Sequence, residues 1–329
     1  MPTLTTTSPM RVALNAALRR SLEDDDRVVV MGEDVGTLGG VFRVTDGLKA
    51  DFGERVMDSP LAESGIIGSA IGLALRGYRP VCEIQFDGFV YPAFDQIVSQ
   101  LAKMRARSGG RIKLPVTVRI PCGGGIGAVE HHSESNEAYF CHTAGLRVVA
   151  CGNPQDAYDM LRASIASDDP VIFFEPKKHY WDKAELDLAG ELRPSSIESA
   201  RLMRRGEDAT LLAYGPTAKL AADAAEIASS EGRSLEVIDL RSLSPIDLVA
   251  VCESVRRTGR LVIVHEAPVF AGLGAEIAAS VGRECFYELE APIERVGGYD
   301  VPYPPARCEA DYLPDVDRVL DAVDKVMNA

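Results

Sequence analysis

The chain has 329 residues, a length that suits two domains, and its 46% hydrophobic and 26% charged composition excludes disordered, coiled-coil and collagen-like classes. Lys+Arg number 35 against 49 Asp+Glu, a formal net charge of −14 that repels phosphate backbones and anionic lipid. Nucleic-acid and membrane partners are therefore not expected, and no apolar run reaches the roughly 18 residues of a membrane span.

The N-terminus lacks the basic start and apolar core of a secretory signal. It reads as a disordered lead over residues 1–9, followed by an amphipathic helix over about 10–22. The seven cysteines at 82, 122, 141, 151, 252, 285 and 308 form no C-x-x-C pair, which fits reduced thiols and predicts a cytoplasmic protein.

Nearly continuous apolar runs at 28–31, 80–85, 116–120, 148–150 and 171–174 read as strands covered on both faces. Helical patterns at 63–75, 92–106, 134–141 and 154–167 lie between them. This alternation predicts a parallel sheet with helices on both faces. Residues 182–205 are polar and aperiodic and read as a linker. Alternation then resumes, with strands at 209–214, 235–240 and 260–265 and helices at 217–230, 246–256 and 274–281. A proline-rich stretch, YDVPYPPAR, precedes a last helix near 316–327. The predicted organisation is an α/β domain over 1–185, a linker over 186–205 and a second α/β domain over 206–329.

The helix at 63–75 carries Gly65, Gly68 and Gly72 along one face. Each glycine costs a helix about 1 kcal/mol, so close backbone approach must offset them. A crossing within one subunit and a subunit interface both meet that need. The segment GGGIGAVEHHSES over 123–135 follows a strand, and its glycines could cradle an anion on bare N–H groups. Its spacing does not match a dinucleotide fingerprint, and its histidines lack the i, i+4 spacing of a helical zinc pair. A plain turn and an active-site loop remain as readings. Glu63 at a helix start and Glu33 after a strand are each ordinary at such places, because acids favour the first turn of a helix. Phe86 and Phe89 read as core or as an aromatic wall. No G-x-S-x-G elbow, Walker loop or H-E-x-x-H occurs.

Taken in order, MGEDVG, GGVFRVTDGL, FGERVMDSPLAESGIIGSAIGLALRGYRPVCEIQF, YPAFDQI, GGGIG, HHSES, DPVIFFEP, LRSLSPID, VHEAP and GLGAEIA resemble one family. It is that of the beta subunits of the thiamine-diphosphate-dependent, decarboxylating component of 2-oxo acid dehydrogenase complexes. The resemblance implies a transketolase-like pyrimidine-binding domain followed by a transketolase C-terminal domain. It implies that Glu63 hydrogen-bonds the aminopyrimidine ring of thiamine diphosphate and promotes the proton shift that activates the cofactor. Leu61, Gln85 and Phe89 match positions lining the pyrimidine pocket. His132 matches a histidine facing the substrate carbonyl or the lipoyl group, and Glu33 matches a glutamate that helps relay protons.

The chain reads HSES where the family has HSQS, and Glu134 would raise the pKa of His132 if the two approach closely. The resemblance also implies a potassium site at the positions of Val116, Ser164, Ile165, Ser167 and Asp169, mostly through backbone carbonyls. The G-D-G motif that begins the magnesium and diphosphate site of full-length relatives is missing. The resemblance therefore implies that an alpha subunit holds magnesium and the diphosphate, in a heterotetramer of two alpha and two beta chains. A lipoyl-bearing acyltransferase core and a 2-oxo acid substrate complete the implied partners. FFEPKKHYW and the doubled histidine look more like the branched-chain members, with the pyruvate type as the alternative. A non-catalytic scaffold and a free-standing transketolase-type enzyme are the rival readings.

Overall fold

The computed structural model describes residues 5–329. In chain order its strands are β1 (Thr5–Pro9), β2 (Val28–Gly32), β3 (Val56–Asp58), β4 (Arg79–Glu83), β5 (Thr117–Cys122), β6 (Arg147–Ala150) and β7 (Val171–Pro176). They continue with β8 (Lys183–Asp187), β9 (Arg201–Arg204), β10 (Ala209–Ala213), β11 (Leu235–Asp239), β12 (Ser242–Ser244), β13 (Leu261–Pro268) and β14 (Glu294–Gly298). Among the described residues, one seven-stranded sheet runs β12-β6-β7-β5-β4-β2-β3 and one five-stranded sheet runs β14-β13-β10-β11-β9.

Within the first sheet β2 to β7 are mutually parallel, while β12 pairs antiparallel with β6. Every residue of β2, β5 and β7 is buried, as their unbroken apolar runs require of strands covered on both faces. The helices Met10–Asp24 and Pro154–Ala166 pack together on one face, with Leu14, Leu18, Tyr158 and Leu161 in their shared core. The helix Glu63–Leu75 covers the other face through Ile66, Ile67, Ala70 and Ile71. That second core continues without a break into the C-terminal sheet, through Leu212, Tyr214, Ile238 and Leu261.

Several elements depart from the expectation. Residues 5–9 are not a disordered lead: they form β1, antiparallel to β8, and residues 1–4 lie outside the described residues. Residues 186–205 are not structureless either, because β9 joins the second sheet beside β11. β9 mixes arginines with apolar residues and buries none of them fully, so it lacks the apolar run that marked the interior strands. Residues 92–106 do not make one α-helix. A 3-10 segment, Asp87–Ala93, carries Pro92 inside it, and a π-helical turn, Gln96–Leu101, precedes the α-helical Ala102–Arg107. Pro92 brings no N–H to a helical ladder, which favours the break there.

His265 on β13 is fully buried, and its Nδ1 lies 2.9 Å from the Ala267 carbonyl. Its ring stacks on Tyr214 at 5.9 Å, and only a glycine fits at 274, where a Cβ would sit 2.6 Å from Nε2. Burial pushes the imidazole down to about 4, so the folded chain holds it neutral while the unfolded chain takes up a proton near pH 6.5. Stability from this residue is complete above that pH and is lost as pH falls from about 6.5 towards 4, by about 3 kcal/mol. Urea unfolding of the parent and of His265→Asn at neutral and acid pH checks this. The parent should lose more stability on acidification than the variant, and parallel losses would count against a neutral buried imidazole.

Candidate active site

Parallel β2, β3, β4, β5 and β7 end on one edge of the first sheet, and the loops leaving that edge carry the predicted site residues. Glu33 follows β2. Leu61 and Glu63 follow β3, with Glu63 as the first residue of the glycine-faced helix. Gln85, Phe86 and Phe89 follow β4, and the glycine turn and His132 follow β5.

His132 is packed between aromatic rings, 4.2 Å from Phe86 and 5.1 Å from Phe89 between centroids, with His131 at 4.4 Å. Burial first, then the neighbouring His131 and Lys177, holds its pKa below the ordinary histidine value. The ring is thus neutral near pH 7 and able to accept or donate a proton. Burial, followed by the charges of Asp34 and Glu63, raises the Glu33 carboxyl above its ordinary value. Glu33 and Glu63 therefore share one acidic neighbourhood. Gln85 reaches the same place, its Nε2 donating to Asp34 Oδ2 at 3.3 Å. Leu61 is 69% exposed, so this end of the site faces outward.

Glu134 does not tune His132 in the expected way. Its carboxylate accepts the Tyr91 hydroxyl, its backbone N–H donates to Asp87 Oδ1 at 3.1 Å, and the His132 pKa is lowered rather than raised. Asp87 itself was not singled out from sequence. It is fully buried and paired with the equally buried Lys177, which also approaches the Phe86 ring at 5.9 Å. Asp87 Oδ1 additionally accepts Gly88 N–H at 2.8 Å, and its carbonyl accepts Asn136 Nδ2 at 3.0 Å. This pair binds the loops after β4, β5 and β7 together beside Phe86, the ring against which His132 packs. The one legible signal was a lysine immediately following the apolar strand β7 and an aspartate in the short loop after β4.

The glycine turn offers no open cradle for a diphosphate. Gly124 N–H donates to Glu266 and Gly125 N–H donates to Glu309 at 2.9 Å, both from the C-terminal domain. What the edge does provide is a carboxylate at a helix start, an amide and an apolar aromatic face. Glu63, Gln85, Phe89 and Leu61 could thus hold the polar edge and flat face of an aminopyrimidine ring.

The potassium candidates gather at the end of the helix Pro154–Ala166 and the start of β7, away from this edge. There the Ile165 and Ser167 carbonyls accept Arg79 Nη1 at 3.1 and 3.0 Å, and the Val116 carbonyl accepts Val171 N–H at 2.9 Å. The Ser164 carbonyl accepts Ser167 N–H at 3.1 Å, and the Asp169 carboxylate pairs with Arg105 and Arg147. These groups already have partners, two of them the guanidinium of Arg79, so the donor set does not present itself as a free cation cage.

Breaking a buried ion pair by removing one partner typically costs about 3–5 kcal/mol, and Lys177→Met should destabilise the chain on that scale at pH 8. Burial pushes Asp87 up to about 7 even against the pull of Lys177, and without that cation its carboxyl rises further, so in the variant protonation relieves the deficit as pH falls from 8 towards 7. Denaturant midpoints across pH 5–8 check the direction. The double variant Asp87→Asn, Lys177→Met should recover part of the loss, and a pH-independent deficit would refute the pairing.

Residues 7–182 match the family described as transketolase, pyrimidine binding domain, and residues 198–319 match transketolase, C-terminal domain. The chain is 59% identical over 318 residues to a pyruvate dehydrogenase E1 component subunit beta of Leifsonia xyli subsp. xyli, covering 96% of this chain and 94% of that protein. It is 52% identical over 326 residues to a 3-methyl-2-oxobutanoate dehydrogenase subunit beta of Mycobacterium tuberculosis, covering 98% and 93%. A 2-oxoisovalerate dehydrogenase subunit beta of Pseudomonas aeruginosa is 46% identical over 338 residues, covering 98% and 95%. Among solved structures, a split-gene transketolase described as an inactive beta4 tetramer superposes with a TM-score of 0.78 at 23% identity, covering 98% of this chain and 99% of that one, a likeness of fold. With both transketolase domains matched and relatives this similar along nearly its whole length, the chain belongs to the family of 2-oxo acid dehydrogenase E1 beta subunits.

Proposed function

We propose that this chain is the beta subunit of a branched-chain 2-oxo acid dehydrogenase, working with an alpha subunit in a two-alpha, two-beta heterotetramer. The observation that carries the reading is one edge of the sheet, where a neutral His132 walled by Phe86 and Phe89 shares the loops with Glu33 and Glu63. The alpha subunit holds magnesium and the diphosphate of thiamine diphosphate, because no G-D-G motif is present in this chain. When bound, the cofactor supplies an electron sink for decarboxylation.

Each residue of this chain then has a task. Glu63 holds a proton at the aminopyrimidine edge, and Gln85 and Phe89 orient the ring. Glu33, raised above the ordinary carboxylate range by burial and by Asp34 and Glu63, stands where it can help relay protons. His132 faces the substrate carbonyl and the lipoyl group of the acyltransferase core, and the aromatic wall limits water around it. The branched-chain assignment rests on the segment FFEPKKHYW and the doubled histidine. A pyruvate substrate is the second reading, favoured by the 59% identity to a pyruvate dehydrogenase relative.

Co-expression with the alpha partner, followed by decarboxylation assays on a panel of 2-oxo acids, tests the assignment. Turnover of branched aliphatic 2-oxo acids supports it, and turnover restricted to pyruvate transfers the chain to the second reading. In the same complex Glu63→Gln should lower decarboxylation by about 10²–10⁴-fold, the usual range for a lost acid–base contribution. Stability should change by under about 1 kcal/mol, the most that a first-turn acid contributes at an exposed helix end. An intact complex with near-parental activity would leave Glu63 as a helix-start carboxylate and no more.

A further inference from the structure

Two features singled out in the sequence meet in space: the glycine turn over 123–127 and the proline-rich stretch YDVPYPPAR. That stretch delivers Tyr303 and, just beyond it, Glu309 to the turn. Glu309 Oε1 accepts Gly125 N–H at 2.9 Å, and its Oε2 accepts Gly127 N–H at 3.1 Å. The Tyr303 hydroxyl donates to Glu309 Oε1 at 2.6 Å. A second carboxylate, Glu266 on β13, accepts Gly124 N–H and lies 3.4 Å from Lys178 Nζ.

Successive backbone N–H groups turned to one side make an anion-binding concavity. Here the anions are the chain's own, supplied by its C-terminal domain. Glycine is needed because the approach is so close: a Cβ at Gly123 would stand 2.6 Å from Glu266 Oε1, and one at Gly124 would collide with the Tyr303 hydroxyl. The turn continues directly into the short 3-10 segment Glu130–His132, whose far side rests on Phe86 and Phe89. Gly88 is pressed equally close to His131, where a Cβ would meet the carbonyl at 2.5 Å. The loop bearing His132 is therefore held from two sides, by the aromatic wall of its own domain and by carboxylates of the other.

We propose that Glu309, supported by Tyr303, is a positioning residue: its carboxylate fills the anion cradle of residues 123–127 and latches the C-terminal domain to the loop that places His132. The latch stands on the hydrogen bonds alone, while its effect on catalysis rests on the function proposed above.

Hydrogen–deuterium exchange on the full chain tests the latch without reference to activity. Peptides spanning 123–132 should exchange at least about tenfold faster in Glu309→Ala, the scale set by losing charge-assisted hydrogen bonds. The amides of β10 and β13 should stay protected, and added acetate, a carboxylate small enough for the emptied cradle, should restore slow exchange in that variant alone. If Glu309→Ala loosens the whole domain, Glu309→Gln decides: a turn that alone exchanges faster supports the latch. Unchanged exchange over 123–132 overturns it. In the complex with the alpha partner, Glu309→Ala should lower acyl transfer to the lipoyl group more than decarboxylation, and equal losses would remove the positioning role. Failure of the functional reading is a separate event, seen as absent turnover in the parent complex.

Discussion

Beneath the candidate site lies one fully buried arginine, and the geometry above it depends on how that charge is satisfied. Arg119 on β5 donates to Glu175 on β7 at 2.6 and 2.9 Å and to Glu83 at the end of β4 at 2.6 Å. Removing such charges from water costs several kcal/mol per ion, which is offset only when geometry and extra hydrogen bonds are good. Tyr180 supplies one, donating to Glu175 at 2.8 Å. The three central strands β4, β5 and β7 are thereby tied to one another. Tyr180 in turn carries the Phe42 ring at 4.8 Å, Phe42 carries Phe86 at 5.4 Å, and Phe86 carries His132. The imidazole is thus the top of a stack that begins in an ionic cluster inside the sheet.

Where burial is complete, the sequence was legible. Runs such as VVVMG and VIFFEP can only be strands covered on both faces, and the first sheet is built from them. Short strands with a polar or mixed face were not legible. SLS at 242–244 and RLMR at 201–204 show no period that separates them from loop, and their strand state comes from partners far away in the chain. The lead over residues 5–9 is threonine-rich and became β1 only because β8 lies alongside it.

The site divides in the same way. Loops that follow apolar parallel strands could be read as chemistry-bearing, and the structure places Glu33, Glu63, Gln85, Phe89 and His132 on one edge of the sheet. Pairings between those loops could not be read. Glu134 lies two residues from His132 in sequence, yet its carboxylate turns to Tyr91. Lys177 looks like an ordinary charged residue after a strand, but it is wholly buried against Asp87, 90 positions away. Local sequence shows which side chains leave the sheet edge, whereas long-range packing decides what each one touches.

The strand that β12 lends to the first sheet bears on how the chain is made. Until residues 242–244 arrive, β6 presents a row of unpaired backbone groups along the apolar sequence RVVA, a template for pairing with another chain. A nascent chain that has completed its N-terminal half therefore carries an open edge through the synthesis of the next several dozen residues. The C-terminal half closes that edge when it docks. Fragments ending before β12 would retain the aggregation-prone border, so the two halves are bound together in production as well as in the finished fold.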